Sequence, residues 1–172
     1  TSTLNTNTIS NVTGQGAVTG ITIGSTVITA NPMSVSNNTI NNLSSTGTGG
    51  AVTGITCSNT SPVININGNT INTLSSTGAS LVSGISVSGA TNTSVYKNKI
   101  YDLTGSNASS TVSGVTVSGG TLVYIYNNLV GDLKAPSANA ANPVNGINIS
   151  GGTTVNVANN TVYIAAASAG AL

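Results

Sequence analysis

The sequence predicts an all-β solenoid, in which each coil of about 30 residues supplies three short strands and about five to six coils fill the chain. Three observations predict it: a motif that recurs at nearly constant spacing, alternation of apolar and polar residues within each recurrence, and a β-forming, turn-forming alphabet. The motif Asn-x-(Ile/Val) starts at Asn7, Asn38, Asn69, Asn98, Asn128 and Asn160, at spacings of 31, 31, 29, 30 and 32 residues. A fixed period of this size marks a repeat architecture, in which single units cannot bury a face alone. Thr (27), Asn (25), Ser (24) and Gly (21) make up 97 of the 172 residues, and Val, Ile, Leu and Ala supply most of the 38% hydrophobic share. That mixture suits strands joined by tight turns.

The first strand of each coil is marked by the apolar residue three positions before the Asn: Leu4, Val35, Ile66, Val95, Ile125 and Val157. The second follows the Asn, with Ile9, Ile40, Ile71, Ile100, Val130 and Val162 two positions on, and Val12, Leu43, Leu74, Leu103 and Leu133 five positions on. A second motif, Val-x-Gly-(Ile/Val), marks the third strand at Gly20, Gly54, Gly84, Gly114 and Gly146, each followed by an apolar–polar–apolar triplet such as Ile21-Thr22-Ile23. A period of 2 means strands. Stretches such as Ser44-Ser45-Thr46-Gly47 supply the loops. Stacking the coils pairs each strand in parallel with its copy at ~4.8 Å, so five coil steps rise only about 24 Å. A helical solenoid is incompatible with this period and with so much Gly and β-branching. The whole of 1–172 reads as one solenoid domain. Because it starts at Thr1 without Met and closes on a run of Ala, Ser and Gly, the expectation is a segment of a longer repetitive protein.

These residues resemble the right-handed parallel β-helix, or pectate-lyase-like, architecture over essentially the whole chain. The resemblance implies that Asn7, Asn38, Asn69, Asn98, Asn128 and Asn160 form an inward ladder, each side-chain amide donating to its copy one coil away. A buried amide must have all its donors and acceptors met, and an identical neighbour meets them. The alternative is a plain turn Asn facing water. The stretch Asn127-Asn128-Leu129-Val130-Gly131-Asp132-Leu133-Lys134-Ala135-Pro136 is also similar to repeats of long secreted surface proteins of Bacteroidota-type export systems. That similarity implies an extracellular or cell-surface setting and names no activity.

In a solenoid, outward ladders carry function. Past each repeated Gly, the expected outward positions are Thr22, Thr56, Ser86, Thr116 and Asn148, then Gly24, Ser58, Ser88, Ser118 and Ser150. Such a small, hydroxyl-rich stripe resembles the faces of ice-binding proteins, although the second rank is Ser or Gly rather than Thr; small residues that merely permit tight stacking are the other reading. Tyr96 and Tyr126 share a phase two residues before the ladder Asn, Tyr124 lies on the same expected face, and Tyr101 and Tyr163 share another phase. Outward rings can stack on sugars or on each other across coils.

Charge narrows the partners. Lys97, Lys99 and Lys134 are the cations, Asp102 and Asp132 the anions. Three lysines cannot neutralise a row of phosphates, so neither nucleic acid nor an anionic membrane surface is an expected partner. No apolar run approaches the ~20 residues of a membrane span, so membrane insertion is not expected. Asp102 and Asp132 share a phase four residues after their ladder Asn, hence adjacent coils, where two carboxylates could hold a cation or act as a glycosidase pair. A calcium site wants six to eight oxygens, and the equivalent positions Asn11, Asn42 and Thr73 make polar surface variants the preferred reading, with the lysines neutralising them. No catalytic residue and no cofactor is expected, and Asp102 with Asp132 is the one weak metal candidate. The Asn-x-Ser/Thr sequons at Asn11, Asn37, Asn42, Asn59, Asn92, Asn107, Asn148 and Asn159 occur at about the frequency the composition gives by chance. Cys57, in phase with Ile23, Val87, Val117 and Ile149, reads as core. The expected role is a non-catalytic extracellular structural or adhesive rod that stacks end to end or laterally with itself; the alternatives are an ice-binding module and a carbohydrate-binding module.

Overall fold

The structure, a computed structural model, describes residues 2–24, 32–58 and 63–165. Among the described residues seventeen strands follow one another without a helix. The first coil holds β1 (Ser2–Asn5), β2 (Thr8–Gly14) and β3 (Val18–Ile23), and the second holds β4 (Met33–Ser36), β5 (Thr39–Ser45) and β6 (Val52–Cys57). Next come β7 (Ile64–Asn67), β8 (Thr70–Ser76) and β9 (Leu81–Val87), then β10 (Asn92–Tyr96), β11 (Lys99–Gly105) and β12 (Thr111–Val117). The fifth coil is β13 (Leu122–Tyr126), β14 (Leu129–Lys134) and β15 (Val144–Ile149); the sixth supplies β16 (Thr154–Ala158) and β17 (Thr161–Tyr163). Strands in the same position of successive coils pair in parallel, giving two six-stranded sheets and one of five. The chain is a right-handed parallel β-helix, and among the described residues the sixth coil lacks its third strand.

Every motif column becomes a register column. Leu4, Val35, Ile66, Val95, Ile125 and Val157 are aligned Cα to Cα through the first sheet, and Ile9, Ile40, Ile71, Ile100, Val130 and Val162 through the second. In the middle coils these side chains are completely buried, and with Val52, Val82, Val112, Ile55, Ile85 and Val115 of the third sheet they form one continuous core. Cys57 is buried between Ile23 and Val87, as expected. Parallel strands buried in this way are stabilised by shared apolar contact rather than by any one strand's propensity.

The repeated glycine has a steric cause. In β9 a Cβ on Gly84 would lie 2.5 Å from Ile100 Cγ2 and 2.6 Å from the Gly114 carbonyl oxygen. Gly54 stands in the same relation to Ile71 and the Gly84 carbonyl. The third strand therefore turns its backbone inward at the glycine, giving the Ile of the second sheet room to fill the centre. This bend also shifts the alternation: Val82, Gly84, Ile85 and Val87 are all buried. Gly131 differs, since a Cβ there meets only the Tyr163 carbonyl oxygen at 3.4 Å and Tyr163 Cβ at 4.0 Å.

Replacing Gly84 with Ala should therefore lower stability by about 1–3 kcal/mol through overpacking, whereas Gly131→Ala should stay within about 0.5 kcal/mol of the parent. Urea denaturation midpoints of the two variants measure the contrast.

Candidate functional site

The turn between the first and second strands is built by two consecutive residues with different tasks. Thr6, Asn37, Gly68, Lys97, Asn127 and Asn159 adopt φ between 53° and 65°. The ladder asparagine follows at once. This left-handed residue swings the chain around the corner and points the next side chain into the body of the coil. Asn38, Asn69, Asn98 and Asn128 are buried, while Asn7 at one end is exposed and Asn160 at the other is half-buried. Each interior amide is fully used. Asn69 Nδ2 donates to Asn98 Oδ1 (2.9 Å) and to the Val35 carbonyl (2.9 Å), and Asn69 Oδ1 accepts from Asn38 Nδ2 (2.9 Å) and from the Asn38 backbone N–H (3.0 Å). The same bonds recur from Asn98 to Asn128 and from Asn128 to Asn160. Both N–H bonds and both lone pairs are satisfied without water, so the ladder is the inward one and the solvent-facing alternative does not hold for its interior members.

A second left-handed column was missed by sequence reasoning. Asn11, Asn42, Thr73, Asp102 and Asp132 have φ of 59°, 52°, 53°, 57° and 50°. They sit inside strands, and the register steps over each: Ser10 pairs with Asn41 and Val12 with Leu43. Each is a left-handed kink repeated once per coil, so the paired strands keep the same register on both sides of it. Asn and Asp tolerate this conformation better than other side chains. The available signal was the column itself, polar and rich in Asn and Asp, between two apolar residues three apart where strict alternation allows no such pair.

The two carboxylates are thus at bend positions on adjacent coils, with a cation between them. Lys134 Nζ lies 3.3 Å from Asp102 Oδ1 and 2.9 Å from Asp132 Oδ1, and Thr73 Oγ1 donates to Asp102 Oδ2 at 3.0 Å. A metal ion would have to displace an ammonium that already answers both charges. Of the three lysines expected to share this task, only Lys134 does so among the described residues; Lys99 instead holds its Nζ 4.9 Å from the Tyr101 ring centroid. The hydrogen bond to Asp132 foremost, with Asp102 assisting against partial desolvation, raises the Lys134 ammonium above its ordinary 10.5.

The hydroxyl stripe is aligned as expected, Thr22, Thr56, Ser86, Thr116 and Asn148 forming one column. It is unevenly exposed. Thr22 is open to solvent, Thr56, Ser86 and Asn148 are half-buried and Thr116 is buried, while Ser58, Ser88, Ser118 and Ser150 are exposed. Across the glycine of the third strand, the hydroxyl of Ser83 in one coil lies 3.4 Å from that of Thr116 in the next. The hydroxyls of Thr93 and Ser113 are buried without a partner among the described residues. Tyr96 and Tyr126 stack on each other, centroids 4.9 Å apart and planes within 2°, while Tyr124 is exposed one outward position away. The sequon residue Asn59 lies outside the described residues. No helix is long and apolar enough to cross a membrane, and no enclosed pocket is present among the described residues.

The fold and its ladders define the class, a parallel β-solenoid. No protein-family model, curated protein or solved structure matches the chain.

Asn98→Ala would take the Oδ1 acceptor from the Asn69 backbone N–H and from one Asn69 Nδ2 hydrogen, and would remove the Nδ2 donor from the Ile66 carbonyl and from Asn128 Oδ1, which keeps only the backbone N–H of residue 98. A loss of about 3 kcal/mol or more is expected from several buried unsatisfied groups, against less than about 1 kcal/mol for Asn7→Ala at the exposed end; chemical denaturation of both variants decides it. The Lys134 pair stabilises the fold below pH 10.5, where Lys134 is charged in both folded and unfolded states, and its contribution fades as pH rises through the raised folded value. With these groups largely exposed, Lys134→Met should cost under about 1 kcal/mol at neutral pH. Thermal melts from pH 8 to 12 should show the gap between parent and variant closing above pH 10.5.

Proposed function

We propose that this chain is a non-catalytic structural element, a stiff rod segment of an extracellular or cell-surface protein of the repeat type noted in its sequence. The carrying observation is the unbroken asparagine ladder, which joins every coil to the next through side-chain amides that are buried and fully satisfied in the interior coils. The carboxylate pair supports the reading, since the left-handed kink shared by its column explains its position and Lys134 and Thr73 occupy its oxygens. Charge falls only on Lys97, Lys99, Asp102, Asp132 and Lys134, all in the fourth and fifth coils, which leaves the outermost coils without electrostatic repulsion against further coils. The described edge strands β1, β2, β3, β15, β16 and β17 carry no Lys, Pro or charge to block pairing. Ice binding is the less favoured alternative, because the partly buried hydroxyl column does not offer an even, flat face.

Electron microscopy of the purified chain at rising concentration tests the reading. Filaments with an axial repeat of ~4.8 Å are the expected result. Discrete particles at every concentration would remove self-stacking from the proposed role.

A further inference from the structure

We propose that Tyr96 and Tyr126 form a modification site, where a peroxide-driven one-electron oxidant joins the two rings by a carbon–carbon bond and so staples the fourth coil to the fifth. This is a separate claim from the rod, and it stands on the geometry of one pair of side chains. Tyr96 on β10 is directly paired with Tyr126 on β13. Their rings are parallel within 2° and their centroids lie 4.9 Å apart, close to the ~4.8 Å of one coil step. The backbone fixes both residues in that register. Gly68 N–H donates to the Tyr96 carbonyl at 3.1 Å, while Lys97 N–H and Asn128 Nδ2 donate to the Tyr126 carbonyl at 3.4 Å and 3.2 Å. Both tyrosines are half-buried, so each keeps part of its surface open to an oxidant.

The chemistry needs two phenols that meet, and here the partner is already in place. Each phenol gives up its O–H hydrogen as one proton and one electron, and the unpaired spin spreads onto the ortho carbons of the ring. An ortho carbon of Tyr96 bonds to one of Tyr126. The hydrogen on each of those two carbons then passes to the oxygen of its own ring, which restores both phenols. Two hydrogen atoms leave in all, and one hydrogen peroxide takes them up to become two waters. Rotation about Cβ–Cγ and a tilt out of parallel bring the ortho edges together.

Position confines the reaction to this pair. Its column continues to Asn67 on one side and Ala158 on the other, so no third ring extends the stack. Tyr101 and Tyr163 are separated by Gly131, which puts them two coil steps or roughly 9.6 Å apart. Tyr124 is paired with Ser94 and Asn156 and has no ring beside it across the sheet. Competing targets are few: the chain has no Trp and no His, Cys57 is completely buried, and Met33 is half-buried.

The whole chain, kept dilute, should be treated with a haem peroxidase and hydrogen peroxide, then digested and mapped by mass spectrometry. The expected product is a single chain lighter by two hydrogen atoms, with the blue emission of dityrosine and one cross-linked peptide pair joining Tyr96 to Tyr126. The bond closes a loop of 30 residues, so the melting temperature should rise by about 5 °C or more. Tyr126→Phe keeps a ring in the stack but has no phenolic hydrogen to lose, and its intrachain dityrosine should disappear. Tyr124→Phe and Tyr163→Phe should react as the parent does. In urea beyond the unfolding midpoint the register is gone, and the Tyr96–Tyr126 link should be lost with it. The proposal is overturned if no intrachain link forms, if mapping places it on another pair, or if the linked chain melts no higher than the parent. It is equally overturned if Tyr126→Phe or the unfolded chain cross-links as well as the folded parent.

Discussion

The structure depends on the requirement that a side-chain amide, once buried, find partners for two donors and two acceptor sites. A single asparagine in an apolar core would cost several kcal/mol for each group left unmet. Here the requirement is met by repetition, because each amide is bonded by the one before it and bonds the one after it, and each also takes a carbonyl from the preceding coil. Register follows from this. A strand slipped by one residue would move its asparagine out of line and orphan amides on both sides, so the ladder fixes which residue stands above which throughout the three sheets.

Given that register, the rest is a matter of columns. Each coil has the same cross-section, and every position must accept its copies above and below. Glycine recurs where the third strand yields space to Ile100 and its equivalents. Asn and Asp recur where the backbone takes a left-handed bend. The two kinks, at the glycine of the third strand and at the left-handed residue of the second, shape the section of the coil around a core of Ile, Val and Leu.

Much of this was legible because a repeat prints each structural demand several times. The Asn-x-(Ile/Val) spacing revealed the coil length, and the residues flanking it revealed the first two strands and their inward columns. Two features were less legible, both for the same physical reason: simple alternation was assumed to run through each strand. At Gly84 two interior residues follow in succession, and at Asp102 one left-handed residue is stepped over, so the columns align as expected while their exposure departs from simple alternation. The hydroxyl stripe was accordingly read as outward throughout, when Thr116 is buried and Thr56, Ser86 and Asn148 are half-buried. The grouping of Lys134 with both aspartates needed the side-chain geometry, since alignment by phase alone could not separate Lys134 from Lys97 and Lys99.

The uniform sense of the ladder has a consequence for symmetry. Every asparagine from Asn7 to Asn128 gives its backbone N–H to the side-chain oxygen of the following coil, and all strands run parallel. The two ends of the molecule are therefore different surfaces, one ending in the side-chain oxygen of Asn7 and the other in the backbone donor of Asn160. Two copies related by a two-fold axis would bring like ends together, donor against donor or oxygen against oxygen, and the ladder would stop at the join. Only a heterologous, translating contact continues it, and such a contact does not close on itself. A molecule of this construction has a direction, and any array that propagates its ladder is open and polar.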